Sequence, residues 1–276
     1  MVIKKSIYNN LINSCDLKKI IKEKNTKLID CRWFLNNPNK GYSDYLKSHI
    51  PSAIFFDIDK VSNNKIKLPH MLPTYNTFNS YVNKSGINKN NVVIIYDQYG
   101  FFSSSRVWFI FKNYGFERVK ILNGGFQAWK KLKYRTSSIK IKTRYCRTFI
   151  SKNLQKNVVD KVQVKDSTKC DKNIIIDARP SNRFLGQVPE PRPFLRKGNI
   201  FKSINVPFNK IYDLTGKLKG KTDLIKLFKN LSKNKEVICY CGSGVTACNL
   251  IFVLNLLNFT NIKLYDGSWA EWGKKE

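Results

Sequence analysis

Cys241 lies in a short, glycine-rich segment whose composition suits nucleophilic chemistry. The segment Cys241-Gly242-Ser243-Gly244-Val245-Thr246 joins an apolar run, Val237–Tyr240, to a helical pattern that starts at Ala247. Its two glycines let the backbone curl so that successive amide hydrogens point inward, and the helix N-terminus adds its positive dipole. A thiol held in such an anion cradle is stabilised as the thiolate, which is the nucleophilic form. We therefore predict that Cys241 is the reactive residue.

The other six cysteines lack this context. Cys239 lies inside the strand pattern and Cys248 lies one turn into the helix, so both are predicted to be core residues. The remaining four, without any partner spacing, are Cys15, Cys31, Cys146 and Cys170. Without a paired Cys-x-x-Cys motif we predict no metal site. Residues 1–10 lack the apolar core of a secretory signal, so we expect free thiols in a reducing, cytoplasmic location.

The sequence contains two diverged copies of one domain. Four segments recur in the same order at a nearly constant offset, which is the signature of an internal repeat. The pairs are Lys27–Arg32 with Ile174–Arg179, His49–Ile54 with Asn199–Ile204, Val93–Asp97 with Val237–Cys241, and Val119–Trp129 with Ile262–Trp272. In this pairing Asp97 stands where the second copy has Cys241. Since a carboxylate cannot replace a thiol nucleophile, we predict that the first copy is not catalytic.

Each copy has the pattern of an α/β domain. Short apolar, β-branched runs alternate with helical patterns such as Val107–Tyr114 and Ala247–Leu257. Continuous apolar runs are typical of parallel strands that are buried on both faces. We predict an open, mostly parallel sheet flanked by helices in each copy. The predicted domains are residues 1–136, non-catalytic, and 151–276, catalytic, with the polar and basic residues 137–150 as a linker.

Length and charge bound the class of protein. A chain of 276 residues is long enough for two domains, and it contains no apolar run of about 18 residues that could span a membrane. The 50 Lys and Arg residues exceed the 19 Asp and Glu residues, giving a net charge of +31. These cations are spread along the chain without a dense basic stripe, so we interpret them as a lysine-rich surface and do not expect nucleic acid as a partner. The alternative from the charge alone is a nucleic-acid binder.

Three groups of residues resemble the motifs of a known family. They are the Cys241–Thr246 loop, Asp177–Arg179 followed by Arg183 and Pro189–Pro193, and Phe55–Asp59 followed by Leu68–Pro73. With these motifs the chain resembles the tandem-rhodanese sulfurtransferases over nearly its whole length. Within them it is most similar to the subgroup that acts on 3-mercaptopyruvate. The resemblance implies two tandem rhodanese-like domains.

The resemblance also implies a mechanism without a metal or an organic cofactor. Cys241 would take sulfur from 3-mercaptopyruvate as a persulfide, release pyruvate and pass the sulfur to cyanide or to a thiol acceptor such as thioredoxin. Arg183 and Arg192 match the arginines that hold the substrate carboxylate in this family, a task that suits the planar guanidinium. The loop residues implied to bind substrate beside Cys241 are Gly242, Gly244, Val245 and Thr246.

Asp59, His70 and Ser243 match a proposed proton relay of the same subgroup. An imidazole oriented by a carboxylate can move a proton to or from the leaving pyruvate enolate. The alternative for His70, considered without its neighbours, is a purely structural role. We predict that His49, in the segment His49–Ala53, only holds the chain by hydrogen bonds.

A thiosulfate:cyanide sulfurtransferase is the alternative within the same class of enzyme. The alternative of another class is a basic RNA-associated sulfur carrier or binding module. Sulfurtransferases that prefer the thiosulfate dianion usually carry basic residues in the loop, whereas the residues after Cys241 are small and uncharged. The uncharged loop therefore favours an α-keto acid thiol as the sulfur donor. The chain departs from the family pattern at Asn199–Ser203, which lacks the usual His-Ile-Pro-Gly-Ala turn, and at Phe194, which replaces the glycine of a usual Pro-Gly. We expect both departures to affect loop geometry more than the nucleophile.

Overall fold

A computed structural model describes residues 10–148 and 155–275 of the chain. These residues divide into two compact units, which are described separately. The first unit holds residues 10–61, 75–148 and Leu214–Leu218. The second holds Ser62–Thr74, 155–213 and 219–275. Ser62–Thr74 lies in the first half of the sequence but belongs to the second unit, and Leu214–Leu218 lies in the second half but belongs to the first unit. The sequence analysis did not predict this.

The first unit contains a five-stranded parallel sheet in the order β1-β5-β4-β2-β3. Its strands are β1 Leu11–Ile12, β2 Thr26–Asp30, β3 Ala53–Phe55, β4 Val92–Tyr96 and β5 Val119–Leu122. Its helices are α1 Ser14–Ile20, α2 Lys40–Lys47, α3 Tyr75–Lys84, α4 Ser104–Asn113 and α5 Gly125–Lys131. The central strand β4 is apolar throughout and almost wholly buried, as its continuous Val-Val-Ile-Ile-Tyr run predicts.

The second unit repeats this topology with the strand order β6-β10-β9-β7-β8, again parallel. Its strands are β6 Val158–Val159, β7 Asn173–Asp177, β8 Ile204–Asn205, β9 Glu236–Tyr240 and β10 Ile262–Tyr265. Its helices are α6 Lys161–Ser167, α7 Ser181–Phe184, α8 Lys221–Leu227, α9 Ala247–Leu256 and α10 Ser268–Trp272, and 3₁₀ turns lie at Gln155–Asn157 and Phe208–Ile211. The predicted α/β fold class is confirmed.

Helix α9 is apolar nearly all round and buried along almost its whole length. Such a helix needs cover on every side, because it has no polar face to offer to water. It packs against β9 and β10, so the helix that follows Cys241 is the most enclosed of its unit's described helices. Its start at Ala247 is where the sequence predicts it. Helix α4 is the first unit's equivalent. It begins three residues before the predicted Val107, and the added residues Ser104, Ser105 and Arg106 are buried as well.

Equivalent hydrogen bonds show how closely the two copies correspond. Tyr96 Oη accepts the amide hydrogen of Ile50 at 3.1 Å, and Tyr240 Oη accepts that of Ile200 at the same distance. After the tyrosine of each central strand, the backbone carbonyl of Asp97 accepts from Phe126 N, and that of Cys241 accepts from Trp269 N. The predicted internal repeat is therefore present at the level of single backbone bonds.

The predicted linker, residues 137–150, is described as far as Thr148, and residues 149–150 lie outside the described residues. In its described part, Ser137 forms an antiparallel bridge with His49, and Thr148 N donates to Asn83 Oδ1 at 2.8 Å. The domain boundaries themselves stay a prediction. In the described ranges, no helix is long and apolar enough to cross a membrane.

Candidate active site

Cys241 begins the loop between β9 and α9, at the carboxyl end of the central strand of its sheet. Ligands of open α/β sheets bind at this edge. The residue is only 2% exposed, and the surroundings of its buried side chain are called the recess. Its amide hydrogen is donated to Ser268 Oγ at 3.1 Å, and its carbonyl accepts from Trp269 N at 2.9 Å. The N-terminal turn of α10 therefore fixes the backbone of the nucleophile.

The loop after Cys241 is small because two guanidinium groups approach it. A methyl group placed on Gly242 would lie 3.1 Å from Arg183 Nη2 and 3.7 Å from Arg192 Nη1. Gly244 has φ +76°, a left-handed conformation that glycine adopts without a steric cost. The structure thus brings both predicted substrate arginines to the residue next to Cys241.

Arg183 reaches the loop as the end of a buried chain of charges. Both carboxylate oxygens of Asp177 are bound by Arg179, whose Nη1 donates to Glu190 Oε1 at 2.7 Å. Glu190 in turn accepts from Arg183 through Nη2 and through Nε, the latter at 3.3 Å. The Glu190 side chain is 2% exposed, so its carboxylate is matched by two guanidinium groups and not by water. This pairing orients Arg183 toward Gly242.

Arg192 is the second cation at the loop. Burial lowers its pKa, and the positive charge of Arg183 adds to this effect, while Cys241 and Glu190 oppose it. Of the two neighbouring cations, only Arg183 is bound by a buried carboxylate, that of Glu190. The recess therefore has a positive potential. An anionic substrate with several oxygens fits such a pair of planar donors.

His70 and Ser243 form the polar side of the same recess. His70 Nδ1 lies 2.9 Å from Ser243 Oγ. Arg192 Nη2 lies 3.5 Å from the same ring nitrogen and 3.4 Å from the hydroxyl oxygen. Because a guanidinium only donates, its position favours the tautomer in which Nδ1 is an acceptor and Ser243 O–H donates to it. A hydroxyl two residues from Cys241 thus carries an exchangeable proton next to an imidazole.

The segment that carries His70 is fixed within the second unit. Leu72 N donates to Asp266 Oδ2 at 2.7 Å, and Asn63 N donates to Met71 O at 3.1 Å. His70 itself has φ +57°, an unfavourable region for a non-glycine residue and one that is enriched at functional sites. The third predicted relay residue, Asp59, belongs to the first unit, where its carboxylate accepts from Trp33 Nε1 at 3.0 Å.

The remaining predicted residues have simpler positions. Val245 is 2% exposed and Thr246 precedes the first residue of α9. His49 is buried in the first unit, with Nδ1 2.6 Å from Tyr45 O and Nε2 3.2 Å from Ile139 O, which is the structural role that we predicted. Cys239 and Cys248 are buried core residues, as predicted, and all seven cysteines, each within the described ranges, are free thiols.

The first unit has the same loop with a different occupant. Asp97 is completely buried, and its Oδ1 accepts the amide hydrogens of Tyr99, at 3.0 Å, and of Gly100. Its Oδ2 accepts those of Ser103 and Ser104 at 2.8 and 2.9 Å. The anion cradle of this copy is therefore filled by the protein's own carboxylate.

Sequence reasoning did not identify three residues that organise the site. Glu190 lies within the quoted motif Pro189–Pro193, yet its role depends on burial between two arginines. Asp266 and Ser268 lie in a recognised repeat segment, and they bind Leu72 N and Cys241 N respectively. The signal that could have identified Asp266 and Ser268 is their position just after the last strand of the sheet, at the edge that carries Cys241.

The fold and this site define a class of protein. The family model of the rhodanese-like domain matches the chain twice, over residues 15–132 and 160–275. The chain belongs to the rhodanese family, as a protein with two rhodanese-like domains, and the predicted resemblance is confirmed.

Relatives with known names narrow the class. The chain is 40% identical over 265 residues to a probable 3-mercaptopyruvate sulfurtransferase of Schizosaccharomyces pombe, covering 91% of this chain and 87% of that protein. It is 34% identical over 275 residues to thiosulfate/3-mercaptopyruvate sulfurtransferase 1, mitochondrial, of Arabidopsis thaliana, covering 91% and 73%. The crystal structure of SseA from Escherichia coli, described as a 3-mercaptopyruvate sulfotransferase, superposes with a TM-score of 0.85 at 32% identity and covers 94% of this chain and 98% of that one.

Proposed function

We propose that this sulfurtransferase takes the sulfur of 3-mercaptopyruvate on Cys241 and passes it to cyanide or to a thiol, releasing pyruvate. The observation that carries the proposal is the approach of Arg183 and Arg192 to Gly242, the residue that follows the nucleophile. The names of the relatives support the same reaction.

The two arginines suit the oxygens of an α-keto acid. The carboxylate and the adjacent keto oxygen of mercaptopyruvate lie in one plane, and a guanidinium presents its donors in a planar fork. Arg183 is held by Glu190, so little ordering is needed when substrate binds. Placing these oxygens near Gly242 brings the substrate sulfur toward the thiol of Cys241.

The transfer is then a displacement at sulfur. The Cys241 thiolate attacks the thiol sulfur of mercaptopyruvate, an S–S bond forms and the C–S bond breaks. The electron pair of the C–S bond goes to the pyruvate enolate, whose negative charge the two arginines offset. Protonation of the enolate carbon completes pyruvate. The Ser243 hydroxyl supplies that proton, and His70 exchanges it with solvent.

The second half of the cycle returns the free thiolate. Cyanide attacks the outer sulfur of the Cys241 persulfide, forms thiocyanate and leaves the thiolate on the enzyme. A thiol acceptor such as reduced thioredoxin attacks the same sulfur. The proposed cytoplasmic location supplies such thiols, and fractionation of cells with an antibody to the chain would test it.

Thiosulfate is the alternative donor, and one observation favours it. The Arabidopsis relative is named for both substrates. The sulfonate group of thiosulfate is also an anion with several oxygens, so the arginine pair fits it. The loop residues beside Cys241 argue against thiosulfate, because they are uncharged and supply no positive charge to bind a dianion.

The test is thiocyanate formation from each donor, measured side by side. We expect a large kcat/KM preference for mercaptopyruvate in the wild type and no turnover in Cys241→Ser. Cys170→Ser, which alters a half-buried thiol before β7, is the matched control and should keep full activity. After donor alone, mass spectrometry should find one extra sulfur atom on the peptide that contains Cys241.

The other outcomes have distinct meanings. A preference for thiosulfate would identify the alternative donor. Activity in Cys241→Ser would contradict the assignment of the nucleophile. No turnover with either donor would leave the binding-module interpretation, and RNA binding that falls steeply with salt would then be measured.

A further inference from the structure

A cavity of about 1160 Å³ lies at the carboxyl edge of the first unit's sheet. Three neighbouring strands, β1, β5 and β4, end beside it, and the loops that follow them line it with Asn13, Asn123 and Tyr99. All of its described lining residues belong to the first unit. Ligands of open α/β sheets bind at this edge, and the volume holds a small organic molecule. It is called the first-unit cavity below.

The segment Leu214–Leu218 forms one wall of the first-unit cavity. It lies so close to the loop after β4 that a methyl group on Gly216 would collide with Tyr99 O. Gly216 also has φ +76°, which glycine adopts without a steric cost. At the end of the segment, Leu218 N donates to Asn123 Oδ1 at 2.8 Å. The wall is therefore held in place before any ligand binds, so little ordering is needed on binding.

The hydrogen bonds of Asn123 leave donors at the cavity. Because an amide N–H of the backbone only donates, Asn123 Oδ1 accepts from Leu218 N, and Asn123 Nδ2 donates to Asn13 Oδ1 at 3.3 Å. Among the described residues, the Nδ2 hydrogens of Asn13 have no acceptor. The adjacent Ser14 hydroxyl is buried and, within the described ranges, has no hydrogen-bond partner. An acceptor oxygen bound here would satisfy groups that the chain itself leaves unpaired.

The charged side chains at the cavity are mainly cations. Lys130 and Lys131 end α5 and are exposed, and Lys217 is exposed in the wall segment. Asp16 is the single acid among the described lining residues, and its carboxylate pairs with Lys19 at 3.3 Å. Ammonium groups and amide donors therefore dominate the polar lining. They suit a ligand with several anionic oxygens, and lysine is an ordinary ligand of phosphate.

The rest of the lining suits a planar ring. The side chain of Tyr99 is 56% exposed, and an exposed aromatic face stacks on a heterocyclic base. Leu132 and Leu214 add exposed apolar surface. The Gln127 amide carries a donor and an acceptor, which is the pair that the edge of a base offers in return. A free phosphate would use the cations and leave this surface uncovered.

We propose that the first-unit cavity binds a nucleotide, with its base against Tyr99 and its phosphates among Lys130, Lys131 and Lys217. This goes beyond the proposed function, because none of the described lining residues is part of the Cys241 site. The loop amides of the first unit are already occupied by the Asp97 carboxylate. The nucleotide therefore lies beside that closed cradle and not in it. The unit without a nucleophile thus has a ligand of its own.

The test is isothermal titration calorimetry of the full chain with ADP, adenosine and pyrophosphate as separate probes. It is done at physiological salt, which screens the diffuse attraction of anions to a chain of net charge +31. We expect ADP to bind about tenfold more tightly than either fragment, because only ADP uses both the ring surface and the cations. No binding of ADP would overturn the proposal, as would pyrophosphate or adenosine binding as tightly as ADP.

Cys15 reports where the nucleotide binds. Its thiol is exposed and lines the cavity, so saturating ADP should slow its alkylation by iodoacetamide about tenfold. Mass spectrometry of the Cys15 peptide would measure this rate. Cys170, a half-buried thiol of the second unit, is the matched control and should react at an unchanged rate. Bound ADP that does not protect Cys15, or that protects both thiols equally, would overturn the location.

Variants of the lining separate a built site from surface charge. Tyr99→Ala and Lys131→Ala should each raise Kd for ADP about tenfold. Lys89→Ala makes the same change in charge at an exposed residue before β4, at the opposite sheet edge, and should leave Kd unchanged. Ser14→Ala should weaken ADP without lowering the unfolding temperature, because the lost hydroxyl has no partner in the free chain. Equal effects of the two lysine variants would overturn the proposal.

Discussion

Asp97 occupies in the first unit the loop position that Cys241 occupies in the second. Both residues directly follow the central-strand tyrosine, and both carbonyls accept from the first turn of the helix after the last strand. In the first unit the Asp97 carboxylate binds four amide hydrogens of its own loop. In the first unit, the loop amides therefore bind the protein's own carboxylate and are not open to an external anion.

Asp97→Asn should destabilise the first unit without reaching the chemistry. An amide cannot accept at its nitrogen, so two of the four buried N–H groups lose their acceptor. We expect the free energy of unfolding to fall by about 3 kcal/mol. Urea denaturation would measure this, and Asp44→Asn, which removes a surface pair with Lys40, should cost under about 1 kcal/mol. The folded variant should keep its kcat, and complete inactivity would give the first unit a chemical role.

Glu190→Gln should impair binding more than turnover. The neutral amide leaves the buried guanidinium of Arg179 and that of Arg183 without their shared counter-charge. We expect a loss of about 3 kcal/mol in the free energy of unfolding, and about a tenfold rise in KM for mercaptopyruvate at similar kcat. The exposed Glu23→Gln serves as control. An unchanged KM would show that Arg183 keeps its position without Glu190.

Gly242→Ala should disturb both arginines at once. Its methyl group would lie 3.1 Å from Arg183 Nη2, which forces the guanidinium to move. Since misplaced substrate loses rate steeply, kcat/KM for mercaptopyruvate should fall about tenfold. Gly220→Ala is a suitable control, because the nearest atom to its added methyl group is 3.9 Å away. Equal activities of the two variants would argue against contact of substrate with this part of the loop.

His70→Asn tests the proton transfer with little change in shape. Asparagine tolerates the left-handed backbone of this position and can still hydrogen-bond to Ser243, but it does not act as a base. If the imidazole exchanges the proton, kcat should fall about 100-fold while KM changes little. Steady-state kinetics would show this, with Ser243→Ala in parallel. Full turnover in the asparagine variant would reduce His70 to a structural residue.

The sequence predicts the fold well where its signals are local. The central strands are continuous apolar runs, and α9 is apolar on all faces, so both could be placed from residue types alone. The two-residue strands β1, β6 and β8 are too short to show any periodicity. Their existence depends on pairing with a neighbour that is distant in sequence.

The site residues also differ in how far their local sequence predicts them. Cys241 could be predicted from its position between a strand and a helix, whereas Arg183 and Arg192 were identified only by a motif. Glu190 was overlooked because a glutamate between two prolines has no distinctive pattern. Its importance arises from burial between two arginines, which is a property of the folded chain.

The exchange of segments between the units has a genetic consequence. His70 lies in Ser62–Thr74, which packs with the second unit although it is encoded within the first copy, and Leu214–Leu218 has the reverse relationship. A gene duplication ordinarily yields modules that can be separated again, lost singly or recombined with other domains. Here a cut between the copies would divide the recess from one of its own side chains. The second copy expressed alone would therefore lack His70 beside Ser243.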